Sequence, residues 1–256
     1  MASPSERKVN AELFVTCIID QIAPEVGEST VRVLRRLGVD LDFPPEQTCC
    51  GQPAFNSGYW SEAKPLARKF IETFTGDKPV VIPSGSCASM VRVFYQELFH
   101  DEPLWAERAA NLAPKVFELS EFLADELNAV GQIGEIASEA KAQKTSTTYH
   151  ETCHLRRELG ATTQTRKLLK ALPNVTLTEM PQSEVCCGFG GTFAVKYSDI
   201  SGAMLSDKVN NIKASAAESV VACDSSCLMH IGGGLEKQGV NVQPLHLAQI
   251  LDQAMS

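Results

Sequence analysis

The sequence predicts an α/β protein made of two homologous Rossmann-like halves, each a small parallel sheet with flanking helices, related by internal pseudo-symmetry. Three observations carry this. A four-cysteine pattern occurs twice, the stretches around each cysteine match in order, and short β-prone runs alternate with helical patterns.

Cys17 is followed after 31 residues by Cys49-Cys50-Gly51, and after 35 more by Cys87. Cys153 is followed after 32 residues by Cys186-Cys187-Gly188, and after 38 more by Cys227. Eight of the nine cysteines thus fall into two matching sets, and Cys223 stands apart, its counterpart being Pro83. It reads as a buried strand residue, since free cysteine commonly behaves as a small hydrophobe.

The flanks agree as well. "FVTCIID" and "TYHETCHL" place the first cysteine just beyond a β-prone run. "LDFPPEQTCCG" parallels "LTEMPQSEVCCG", and "VVIPSGSCASM" parallels "VVACDSSCLMH". "KVFELSEFLADEL" resembles "NVQPLHLAQILDQA", a strand followed by an amphipathic helix. Helical periodicity covers Glu28 to Leu37, with Gly38 as a C-terminal stop, and recurs in "EAKPLARKFIETF" and "SDISGAMLSDKVNNIKAS". Residues 1–130 and 145–256 are read as the two halves. Residues 131–144, poor in large apolar side chains, are read as the connector.

Because every cysteine of the two sets follows a predicted strand, all are expected on loops at the carboxyl ends of the sheets, where open α/β sheets bind ligands. Cys17, Cys49, Cys50 and Cys87 are expected to form one thiol site, and Cys153, Cys186, Cys187 and Cys227 a second. Within each adjacent pair, either both thiols ligate or one stands outside the ligand set. Gly51 and Gly188 would let the chain turn through positive φ or approach a bound group closely, with loop N–H groups aimed at its sulfurs.

Bulk properties exclude other classes. With 256 residues, 44% hydrophobic and 21% charged, the chain has material for a real core. A net charge of -8 argues against a nucleic-acid partner. No apolar run is long enough for a membrane span, and "MASPSERKVN" lacks a secretory h-region, so the expected compartment is the cytoplasm. Thiols in a reducing compartment point to metal or redox chemistry. Structural zinc sites usually arise from short C-x2-C knuckles, and dithiol redox sites from C-x-x-C; neither half has one. An iron–sulfur cluster presents several irons and accommodates neighbouring thiolates. "IGGGLEK" lacks dinucleotide-fingerprint spacing, so no nucleotide site is expected.

"LFVTC", "DFPPEQTCCGQPAFNSGY", "PSGSCASM", "CCGFGGTFAVK" and "SCLMHIGG" resemble the lactate utilization protein A family. More widely they resemble the CCG domains of the cysteine-rich heterodisulfide reductase subunit and of the glycolate oxidase iron–sulfur subunit. The resemblance runs from about Leu13 to Leu251. It implies two 4Fe-4S clusters and a role as the electron-transfer component of a complex oxidising L-lactate to pyruvate, active only with its partners. Those would be a ferredoxin-type iron–sulfur protein and a third component. The heterodisulfide reductase pattern ends each set in C-x-x-C, whereas here Met90 and His230 hold the last position. The five-thiolate cluster of that branch therefore does not carry over unchanged, and His230 becomes a candidate fifth ligand or neighbour. His154, beside Cys153, is a candidate proton relay or hydrogen-bond partner, and His150 a weaker one. Tyr59 and Tyr197 occupy equivalent places as shields or packing residues, and Arg156 and Lys196 are candidate counter-charges. The readings held against this one are a zinc-binding or cluster-assembly scaffold and a thiol–disulfide reductase subunit.

Overall fold

The computed structural model describes residues 9–256. It contains two four-stranded sheets in which every pairing is parallel. The first comprises β1 (Val9–Leu13), β2 (Val39–Asp42), β3 (Val80–Ile82) and β4 (Val116–Glu118), in the order β2-β1-β3-β4. The second comprises β5 (Thr145–Tyr149), β6 (Val175–Leu177), β7 (Ser219–Ala222) and β8 (Gln243–His246), in the order β6-β5-β7-β8. The second order is the first moved on by four strands. The expected pair of homologous α/β halves is what the chain forms.

The apolar runs of the central strands are continuous because both faces of each sheet are covered. Val80 and Ile82 face an aromatic-rich cluster confined to the first half, while Val81 points the other way. In the second sheet Val220 faces a smaller outer cluster and Val221 points inward with Val81. Between the sheets lies a layer built from both halves. Helices Pro24–Arg36 and Leu247–Ala254 pack together, as do Leu119–Glu121 with its π turn Phe122–Glu126 and the helix Gln164–Ala171. Each half therefore sends its last helix against the first long helix of the other. Asp252 accepts from Arg32 Nε at 2.7 Å and Arg36 Nη1 at 2.6 Å, while Asp125, near the end of the first half's last helix, accepts from Gln164 Nε2 at 2.6 Å.

Residues 131–144, expected as a connector, are mostly helix. Helix Val130–Glu139 buries Ile133 and Ala137 in the central layer. Small residues let it come close: a Cβ on Gly134 would stand 2.9 Å from the Ala171 carbonyl oxygen. Helix Pro24–Arg36 ends before Gly38, whose φ of +80° matches the expected stop. "IGGGLEK" lies inside helix Ser225–Lys237, where Gly234 lets Leu205 of helix Ser198–Ser215 pack closely. Among the described residues no helix is long and apolar enough to cross a membrane.

The last strand of each half ends in a buried titratable N-cap. Glu118 accepts from Ser120 N at 2.7 Å, and its own N–H donates to Glu121. His246 Nδ1 accepts from Ala248 N at 3.2 Å, and its own N–H donates to Gln249. Burial pushes the Glu118 carboxyl up to about 8, against the lowering effect of the Ser120 hydrogen bond. Burial holds His246 down to about 4. Between the ordinary carboxyl value of 4.5 and about 8, the folded chain keeps a proton that the unfolded chain has released, so stability from Glu118 is lost as pH rises. His246 acts in the opposite sense, losing stability as pH falls from 6.5 towards 4. Glu118→Gln should therefore flatten the decline of Tm between pH 6.5 and 8, read by circular dichroism in a buffer series. A variant that declines as steeply as the parent would acquit Glu118.

Candidate metal centre

In a sheet of order 2-1-3-4 the connections diverge between the first and third strands, and the crevice beyond their carboxyl ends is the natural binding place. The cysteines gather there. Cys17 opens helix Cys17–Ile22 just past β1, Cys49 and Cys50 lie on the loop past β2, and Cys87 lies in the first turn of helix Gly85–Ser89 past β3. In the second half Cys153 opens helix Cys153–Arg157, Cys186 and Cys187 lie on the loop past β6, and Cys227 lies in the first turn of helix Ser225–Lys237. The expectation of loops thus holds for the adjacent pairs and fails for the other four thiols, which begin helices. Capping explains this in the first half: Thr16 Oγ1 accepts from Ile19 N at 3.4 Å and Ser84 Oγ from Cys87 N at 3.2 Å.

Adjacency has a use here. Neighbouring side chains diverge, so each member of a pair reaches a different wall. Cys49 Sγ stands 3.4 Å from Cys17 Sγ, and Cys50 Sγ stands 3.4 Å from Cys87 Sγ. The second half repeats the arrangement, with Cys186 beside Cys153 and Cys187 beside Cys227. The backbone N–H groups of Gly51 and Gly188 donate to Cys49 Sγ and Cys186 Sγ, each at 3.4 Å. Both glycines are left-handed, with φ of +87° and +90°. A Cβ would meet Ala63 O at 3.2 Å in the first case and Ser201 O at 2.8 Å in the second. The glycine after each pair therefore serves the turn and the close approach of the following helix.

The thiols do not ionise alike. Hydrogen bonds from Cys17 and Cys50 hold Cys49 far below the ordinary thiol range, and Cys153 and Cys187 do the same for Cys186. The same bonds, with burial, push Cys17, Cys50, Cys153 and Cys187 up. Four thiolates so close together repel one another unless a cationic group lies among them. A metal or iron–sulfur group, which takes thiolates as ligands, fits this donor set.

The two sites share one opening. Seven of the eight thiol residues, all but Cys49, line a single cavity of about 400 Å³. It is closed where the two β3- and β7-end loops touch: Gly85 N donates to Cys223 O at 3.2 Å, and Ser86 N to Asp224 Oδ2 at 2.8 Å. Cys223 itself turns away, its thiol 3.2 Å from Thr165 Oγ1 in the central layer. His154 spans the cleft, with Nδ1 3.7 Å from Cys153 Sγ and Nε2 3.5 Å from Gln52 Nε2 of the first half. His230 turns to Ser201 Oγ at 3.3 Å and packs against Phe189.

Other expected neighbours stand off. Tyr59 and Tyr197 are exposed, and Arg156 pairs with Glu151 at 3.3 Å. Two buried groups close to the second site carry more weight than the sequence suggested. His150 lies with Cys187 and Cys227, their donor atoms all within 4.8 Å of one another. Burial, with the Lys208 ammonium beside it, holds His150 down to about 3. Lys208, 1% exposed, donates to the carbonyls of Gln182 at 2.8 Å and Ser183 at 3.2 Å. Lys208 sits on a helix with an unremarkable polar pattern, so its burial leaves no mark in the sequence.

The glycine geometry gives a direct test. Gly188→Ala should cost about 1–3 kcal/mol from the left-handed backbone alone, and more from contact with Ser201 O. Gly51→Ala should cost less, because its nearest neighbour is farther away. Chemical denaturation of the two variants should rank them in that order, and the reverse order would contradict it.

The CCG cysteine-rich domain model matches twice, over residues 11–92 and 147–232, so that each match spans one thiol set. Lactate utilization protein A 2 of Bacillus cereus (strain Q1) is 42% identical over 97% of this chain and 100% of its own length. Lactate utilization protein A of Halalkalibacterium halodurans is 43% identical over 95% of this chain and 97% of its own. Lactate utilization protein A 1 of Bacillus anthracis (strain CDC 684 / NRRL 3495) is 40% identical over 97% of this chain and all of its own. With the duplicated CCG fold, the paired thiol sites and relatives aligned end to end, this chain belongs to the lactate utilization protein A family of CCG-domain proteins.

Proposed function

We propose that the chain is the iron–sulfur electron-transfer component of a cytoplasmic assembly that oxidises L-lactate to pyruvate. The observation that carries this is the pair of four-thiol sites opening on one cleft. Cys17, Cys49, Cys50 and Cys87 would hold one 4Fe-4S cluster, and Cys153, Cys186, Cys187 and Cys227 the other. Bound clusters supply one-electron carriers of tunable potential. The names of the relatives support lactate as the substrate of the assembly, and the letter in those names supports partner components. A ferredoxin-type iron–sulfur protein and a third component are the partners this reading assigns. All nine cysteines are free, in keeping with a reducing compartment.

The chain's own residues account for the rest. Oxidation of lactate releases two electrons and two protons, and two thiolate-held centres suit passing the electrons singly. Gly51 and Gly188 aim backbone N–H groups at Cys49 and Cys186, which stabilises negative charge at those sulfurs. Gln52 and His154 close the cleft from opposite halves.

Anaerobic purification followed by iron and acid-labile sulfide assay should give about eight of each per chain, as two four-iron clusters require. Cys49→Ser and Cys186→Ser should each remove about half. Stoichiometric zinc with no iron after reconstitution would overturn the reading in favour of a zinc scaffold. With clusters in place, L-lactate should reduce them only when the partner proteins are added.

A further inference from the structure

The two sites are alike in their thiols and unlike in what stands behind them. Three residues before Cys17 the first half has Phe14, and three residues before Cys153 the second has His150. Eleven residues past the equivalent Tyr59 and Tyr197 stand Phe70 and Lys208. Phe14 and Phe70 pack edge to face with ring centroids 4.8 Å apart, in the apolar cluster that contains Cys50 and Cys87. At the same station of the second half an imidazole and an ammonium sit together against Cys187 and Cys227.

His150 is 1% exposed, and neither ring nitrogen makes a hydrogen bond; the Ser183 carbonyl beside the ring does not meet the geometry for one. A buried imidazole without a partner is costly, and the sulfurs of Cys187 and Cys227 lie within 4.8 Å of its donor nitrogen. His230 is already hydrogen-bonded to Ser201, and His154 reaches across the cleft to Gln52, so neither is free in this way.

We propose that His150 supplies a nitrogen ligand to the metal group held by Cys153, Cys186, Cys187 and Cys227, which makes the second site a mixed sulfur–nitrogen centre while the first remains all-thiolate. This rests on the reading that the sites hold iron–sulfur clusters. Imidazole on a cluster iron raises the reduction potential relative to thiolate, and the buried Lys208 charge acts in the same direction. Of the two centres, the second is thus the one of higher potential.

The test uses full-length protein purified anaerobically from a histidine auxotroph fed [15N]histidine. Iron and sulfide are assayed on the same sample. Pulsed EPR of the reduced protein should show a 15N coupling of the strength of a directly bound nitrogen. His150→Phe, which copies the first half's own residue, should abolish that coupling and lower one of two midpoint potentials, leaving the other in place. His154→Gln and His230→Gln should leave the coupling unchanged. Should His150→Phe fail to hold its second cluster, the wild-type coupling and the two glutamine variants decide. Iron-loaded protein with no 15N coupling, with only the weak coupling of a hydrogen bond, or with a coupling lost in His154→Gln or His230→Gln, overturns the inference alone. A chain that takes up no iron overturns the cluster reading and the inference together.

Discussion

The apolar layer between the two sheets brings the two thiol sites to one cleft. Val33 and Leu34 from the first half, Leu168 and Leu169 from the second, and the helices Leu119–Glu121 and Leu247–Ala254 that cross over share one buried cluster. Parting the halves would expose this shared apolar face, a contiguous patch that water disfavours. Docking then sets the relation between the β3 and β7 carboxyl ends, where Gly85 and Ser86 bond to Cys223 and Asp224. The cleft is a consequence of the core, and neither half could build it by itself.

Within that frame, electrostatics decide which residues can surround the thiols. Each set keeps one sulfur as the favoured anion, Cys49 or Cys186, by pointing two thiols and one glycine N–H at it. Cys17, Cys50, Cys153 and Cys187 are pushed up by their neighbours and by burial. A group that carries positive charge among these thiols would favour their thiolate forms, so ligand binding and thiol ionisation would be one event. The adjacent pair makes this possible from a single loop, since its two side chains diverge to Cys17 and Cys87.

The repeat, the parallel α/β character of each half and the gathering of the thiols at the carboxyl ends are legible in the sequence because they follow from spacing. The Ser198–Ser215 helix and the Gly38 stop are legible for the same reason. What the sequence conceals depends on partners distant along the chain. Helix Val130–Glu139 looks like a linker because its buried face is made of Ile133, Ala137 and a glycine, and small residues signal weakly until the neighbouring helix Gln164–Ala171 is in view. Cys17 and Cys87 begin helices because Thr16 and Ser84 cap them, and a cap one or three residues from a cysteine reads equally well as a loop residue. The burial of Lys208 is invisible because its partners are the Gln182 and Ser183 carbonyls, groups that no side-chain pattern reports.

Duplication gives this concealed burial its consequence. Two copies of one fold give two sites with a similar thiol spacing, the same left-handed glycine and the same N–H donor. The ligand geometry leaves little room for change, since each thiol is fixed by a helix start or a strained turn. The residues behind the thiols are freer, because the outer face of each sheet is covered separately and can be aromatic on one side and polar on the other. Phe14 and Phe70 give the first site a medium without charge; His150 and Lys208 give the second a dipole and a cation shielded from water, where each acts more strongly than at the surface. A fold symmetric in its scaffold thereby carries sites unequal in their electrostatics, and the inequality resides in side chains that never touch the solvent.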